Sequence, residues 1–165
     1  MAGNSKLATA IHIAGMLSFA ERIPLTSEEL AQSCGTNPVV IRRIISLLTK
    51  SGLVTVKKGT GGGARLARGP EFIMLGEIYD ALEEGAVFDV PQFDPGHPCL
   101  LAKAVRPVLG EVLDEAEREM RHYLNDRSLA GVIELVRLRL GDPTVDSTFR
   151  GICADGDGAE QTGGN

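Results

Sequence analysis

The chain has 165 residues, 43% of them hydrophobic, which is enough to bury one core in a single domain or a domain with an appendage. No run of 18 apolar residues is available to span a membrane, and Met1–Lys6 lacks the basic-then-apolar pattern of a secretory signal. Three scattered cysteines (Cys34, Cys99, Cys153) cannot build a disulfide framework and point to a reducing, cytoplasmic compartment. With no Trp and 4% aromatic residues, an aromatic-lined pocket for a large flat ligand is not expected. The formal net charge of −5 conceals a division. Residues 1–70 carry nine Lys/Arg against three acids, and residues 71–165 carry eight against nineteen. A head at +6 on a body at −11 suggests that the head faces a polyanion.

In chain order, residues 5–20 are apolar around most of a helical circumference, with Ser5 as the expected N-cap and Pro24 ending the segment. A helix of that kind must pack on more than one side. Thr26 and Glu29 have capping-box spacing before a short helix to about Cys34, which Gly35 ends. Asn37-Pro38 starts a third helix with a buried stripe of Ile41, Ile44, Ile45 and Leu48, stopped by Gly52. Its opposite face carries Val39, Arg42, Arg43, Ser46 and Lys50. Leu53–Lys57 and Ala64–Ala67 read as strands joined by the glycine-rich turn Lys58–Gly63. A helix over about Leu75–Glu84 and a Pro/Gly-containing loop over Gly85–Pro98 come next.

The longest predicted helix runs from Leu100 to Asn125, on the order of 35 Å at the usual rise per residue. Pro107 either kinks it or marks where its regular part begins. Its apolar stripe includes Leu109, Val112, Leu113, Ala116 and Met120, more than a small head can cover, so a second copy of the helix in a dimer is expected to cover it. Ser128–Leu140 is a shorter apolar-periodic segment, and residues 141–165 are Gly/Asp-rich and expected to be disordered. The organisation expected is therefore a DNA-binding head over 1–84, a linker over 85–99, a dimerisation helix and C-terminal segment over 100–140, and a tail over 141–165. The fold class is mostly α with a small β-hairpin wing.

Two helices, a basic-faced third helix and a glycine-tipped hairpin are the order of a winged helix-turn-helix. Its third helix fits a DNA major groove, with Arg42 and Arg43 placed to reach base edges and Val39 and Ser46 on the same face. The helix start at Asn37 and Pro38 is a candidate seat for a phosphate. In the wing, Lys57, Lys58 and Arg65 are set to reach phosphate or minor groove, and Gly61, Gly62 and Gly63 allow close backbone approach. Adjacent arginines on an arbitrary helix are more often a solvated face; the helix order and the basic wing tip the balance toward contact with DNA. Nucleotide binding is rejected, because no GxxxxGK[ST] pattern accompanies the glycines. There is no nucleophile-plus-base pattern and no paired-carboxylate cleft, so an enzyme is not expected. A winged-helix module that binds only protein would not need the +6 head.

The stretches Ser5–His12, Leu25–Ala31, Thr36–Arg43 and above all Lys58-Gly59-Thr60-Gly61-Gly62-Gly63-Ala64-Arg65-Leu66-Ala67-Arg68 resemble the Rrf-two family of bacterial winged-helix transcription regulators. The resemblance covers about residues 4–135. It implies a homodimer with crossed long helices, bound to a roughly palindromic operator and usually repressing, and it places Ser5 and Lys6 at the DNA. Ala64 and Leu7 stand where the family commonly has aromatics. Arg42 stands where a cluster-holding member has a base-reading glutamate, so a different operator is implied.

Cluster-holding members of that family carry three cysteines before the long helix. Here that region offers only Cys99, with His97 two positions earlier. An iron–sulfur cluster needs four ligands, so no cluster is expected, and no second pair completes a zinc site. Cys99 at the start of the long helix is the candidate for a thiol switch, weighed against an ordinary small residue there. Cys34 is expected in the core, Cys153 in the tail, and His12 and His122 are read as incidental.

Overall fold

The computed structural model describes residues 3–21, 23–82 and 99–140. Helix α1 spans Gly3–Phe19. Ser5 therefore lies inside it rather than capping it. Neither Gly3 nor Asn4 blocks helical backbone, and extending a nucleated helix costs little. Ala10, Ile13, Ala14, Met16 and Leu17 are buried on α1, and α2, α3, α4, α6 and the wing all pack against it.

Helix α2 (Ser27–Cys34) begins with the reciprocal bonds expected of its capping box. The Glu29 N–H donates to Thr26 Oγ1 at 3.2 Å, and the Thr26 N–H donates to Glu29 Oε2 at 2.7 Å. Gly35, left-handed at φ 59°, ends it. Helix α3 (Pro38–Lys50) follows, with Asn37 as N-cap. Ile41, Ile44, Ile45 and Leu48 point into the core, each worth roughly 1.5–3 kcal/mol when fully buried. That stripe fixes the rotation of α3, and so decides which residues face outward.

Strands β1 (Val54–Lys57) and β2 (Gly63–Leu66) pair antiparallel, with Val54 opposite Leu66 and Lys57 opposite Gly63. Each lies within one residue of its expected bounds. A one-residue bridge adds Leu25 to the outer edge of β2: the Leu25 N–H donates to the Ala64 carbonyl at 3.0 Å, and the Ala64 N–H to the Leu25 carbonyl at 2.8 Å. The wing is thereby anchored to the segment that enters α2. A 3-10 turn over Pro70–Phe72, which no spacing in the sequence marks, leads to α4 (Leu75–Ala81). The expected continuation of α4 to Glu84 lies outside the described residues, as do the loop 85–98 and the tail 141–165.

Helix α5 spans Leu100–Asn125, the predicted bounds, and Pro107 lies within it, so the proline does not mark its start. Leu101, Val108, Leu109 and Val112 are exposed. The helix joins the head near its C-terminal end. There Tyr79 Oη donates to Glu117 Oε1 at 3.2 Å, and Arg121 pairs with Asp80 while its guanidinium lies 5.0 Å from the Tyr79 ring centre. Helix α6 (Leu129–Leu140) then turns back to the head. The Leu75 N–H donates to the Arg127 carbonyl and the Leu129 N–H to the Ile73 carbonyl, both at 2.8 Å. Leu129 and Ile133 join the head's core, whereas Leu135, Val136, Leu138 and Leu140 remain exposed. Among the described residues no helix is long and apolar enough to cross a membrane.

Candidate nucleic-acid interface

Because its apolar stripe is buried, α3 presents Val39, Arg42, Arg43, Ser46 and Lys50 to the outside, all exposed. Between this face and the wing lies a groove of about 450 Å³, lined by Ser27, Arg42, Ser46, Thr49, Lys50 and Val56 among others. Its lining includes Ile45 and Ala64, both buried. Lys57 and Lys58 are exposed where β1 runs into the turn, and Arg65, half-buried, sits across from Thr55.

Three of the residue groups assigned to the DNA surface also have contacts within the protein. At the start of α3, Pro38 has no N–H and the Val39 N–H donates to Asn37 Oδ1 at 2.8 Å. Lys6 is engaged within the fold, its Nζ donating to the Leu82 carbonyl at 2.8 Å. The glycines have an internal reason to be glycine. Gly61 lies at φ 70° and Gly63 at φ 147°. A Cβ on Gly62 would come within 2.2 Å of the Lys57 carbonyl oxygen, and one on Gly63 within 2.6 Å of the Leu25 carbonyl oxygen. The triple glycine is thus needed to close the turn and to bridge Leu25. The side chain of Ser5 is not among those described.

Arg42 does not stand alone. Its Nε donates to Ser27 Oγ at 3.1 Å, and its Nη2 pairs with Glu28. The Glu28 carboxyl is held below the usual carboxylate range, first by its own backbone N–H at the start of α2 and then by Arg42 and Ser27. Spacing in the sequence marks this segment only as a cap. Its contact with Arg42 follows from the way α2 sets its first turn beside the outer face of α3.

Of the candidate dimer residues, Leu109, Val112 and Ala116 are exposed and Leu113 and Met120 half-buried, along one length of α5. Cys99 is exposed at the N-cap of α5. Cys34 packs half-buried against the core, and burial pushes its thiol pKa up. His12 meets Ser33 Oγ at 3.1 Å and His122 lies near Asp126, both at the surface. His97 and Cys153 lie outside the described residues. Among the described residues no three His, Cys, Asp or Glu come together as a metal site.

A third helix turned outward from a tri-helical core, flanked by an anchored hairpin, defines a winged-helix head of the kind found in transcription regulators. Residues 4–135 match the model of the Rrf2 family, described as iron-dependent transcriptional regulators. The chain is 37% identical over 130 residues to YwnA of Bacillus subtilis (strain 168), provisionally named an HTH-type transcriptional regulator; the match covers 79% of this chain and 96% of YwnA. A solved structure provisionally described as a DNA-binding protein is 36% identical and superimposes with a TM-score of 0.61, over 78% of this chain and 98% of that one. Another, a provisionally assigned transcriptional regulator from Lactobacillus plantarum, reaches a TM-score of 0.67 at 25% identity, over 88% of this chain and 97% of that one. The chain belongs to the Rrf2 family of winged-helix transcription regulators, a family of regulators rather than enzymes.

Proposed function

We propose that this regulator binds a roughly palindromic DNA operator as a homodimer and represses, placing one α3 in each of two successive major grooves. The observation that carries the reading is the continuous outward surface of Arg42, Arg43, Ser46 and Lys50 on α3, joined through the groove to the basic wing. Helix α5 supplies the second half. Its exposed Val108, Leu109 and Val112 are an apolar strip that a copy of the same helix would cover. Selection of bound duplexes from a random pool tests the proposal. Enrichment of an inverted repeat with half-sites about one DNA turn apart is expected, and a single unrepeated half-site or no enrichment would refute it.

The operator-binding form is proposed to need no iron–sulfur cluster. Ligand arithmetic supports this: a cluster needs four ligands, and before the long helix the sequence offers only His97 and Cys99, with Cys34 half-buried in the head. The exposure of Cys99 at the N-cap of α5 supports a second reading, a redox-responsive regulator using this thiol. In that reading Cys99→Ser abolishes the oxidant response of operator binding while Cys153→Ser leaves it intact.

A further inference from the structure

Base-reading arginines need their planar fork aimed, and a long side chain on an exposed helix face is not aimed by its own helix alone. In this fold the aiming groups come from a different helix. Arg42 Nε donates to Ser27 Oγ at 3.1 Å, Nη2 donates to Glu28, and Ser27 Oγ donates to the other Glu28 oxygen at 3.3 Å. These contacts use the side edge of the guanidinium, Nε–H and the adjacent N–H of Nη2. Its end-on edge, Nη1 and the outer N–H of Nη2, makes no further hydrogen bond among the described residues. That edge has the donor pair which matches O6 and N7 of guanine in a major groove.

We propose that Ser27 and Glu28 are positioning residues that hold Arg42 for guanine recognition, so that the first turn of α2 helps to set operator specificity. The proposal rests on the reading of Arg42 as a base reader. Two further observations support it. Ser27 and Arg42 line the same groove between α3 and the wing, so their hydrogen bond sits on the groove side, with Glu28 next to Ser27 pairing with Arg42. The pair is also too exposed to exist for stability: the side chains of Arg42 and Glu28 are 56% and 62% accessible, and ion pairs so exposed contribute little. A bare carboxylate at that place would repel phosphate, and its pairing with Arg42 removes that penalty.

The test uses full-length wild type, Arg42→Ala, Glu28→Ala, Glu28→Gln and the double variant Arg42→Ala/Glu28→Ala. Each is titrated against the selected duplex and its single-base-pair variants. Arg42→Ala is expected to lose roughly tenfold or more of the discrimination at one G·C pair per half-site. Glu28→Ala is expected to lose about three- to tenfold at that same pair, with preferences elsewhere and the melting temperature unchanged. Glu28→Gln, which keeps an acceptor oxygen, should retain most of it, and Glu28→Ala should add nothing in the Arg42→Ala background. If Arg42→Ala loses the preference but Glu28→Ala does not, or if Glu28→Ala merely tightens binding to every duplex equally, the positioning role is wrong and base reading by Arg42 stands. If Arg42→Ala weakens all duplexes alike, both fall together.

Discussion

Arg42 on α3 and Lys57 on β1 are both exposed cations, yet their chemistry assigns them different work at a duplex. The guanidinium is a planar fork suited to one base edge, whereas the ammonium is a mobile point charge suited to phosphate. Arg42→Ala should therefore cost about 1–3 kcal/mol on the preferred duplex and relax one position per half-site, as read by anisotropy titrations over single-pair variants. Lys57→Ala should weaken all duplexes similarly and reduce the salt slope by about one. An unchanged slope would remove the wing from the interface. The wing's glycines are constrained from inside the protein. In Gly63→Ala the new Cβ meets the Leu25 backbone at a φ of 147°. Loss of about 1–3 kcal/mol is expected in urea unfolding, and full stability in that variant would show that the Leu25 bridge is dispensable.

Two elements couple the head to the rest of the chain, and each can be tested separately. The apolar strip of α5 is legible from its spacing alone, and the structure leaves Val112 57% exposed on it. Val112→Asp should give monomers with little operator affinity, because one head makes only half the contacts; sedimentation at micromolar concentration decides, and a monomeric wild type would end the dimer proposal. Helix α4 is tied at its start by Glu77, which accepts the Met74 N–H at 2.9 Å and pairs with Arg68 beyond the wing. Burial pushes the Glu77 carboxyl up, but the Met74 N–H and Arg68 together outweigh it and leave the carboxyl below its ordinary value of 4.5. A depressed folded-state value means stability present above the unfolded value and lost as pH falls through the folded one. The stability gap between wild type and Glu77→Gln should accordingly shrink as pH drops from about 5 toward 3. A gap constant over that range would show that the pairing does not contribute.

At the scale of the whole molecule, the charge division and the ligand arithmetic bear on what the regulator responds to. Residues 1–70, at +6, carry the proposed DNA surface, while the acidic remainder includes Glu111, Asp114 and Glu115 on α5 and works against non-specific contact with the same polyanion. Family membership brings a description as iron-dependent regulators, whereas the cluster-free form proposed above rests on the few thiols in the sequence. Protein prepared anaerobically is expected to be colourless and to bind the selected operator. A brown preparation with stoichiometric iron and sulfide would overturn the cluster-free reading.

What the amino-acid sequence determined by itself was local: where α2, α3 and α5 start and stop, which stripe of α3 is apolar, and where the hairpin turns. Capping residues such as Thr26 and Asn37, and the periodicity of Ile41, Ile44, Ile45 and Leu48, act within a few residues, so spacing alone reveals them. Burying that one stripe also dictates the opposite face, which is why helical spacing suffices to turn Arg42, Arg43 and Ser46 outward. What only the tertiary structure decided depends on partners distant in the chain. The engagement of Lys6 by Leu82 spans 76 positions, and the hold of Ser27 and Glu28 on Arg42 spans 15 and 14. The return of α6 into the head's core, the Leu25 bridge to the wing and the internal need for Gly62 and Gly63 are of the same kind. No periodicity encodes such contacts, because they exist only once separate elements have packed and brought particular backbone carbonyls and side chains within reach.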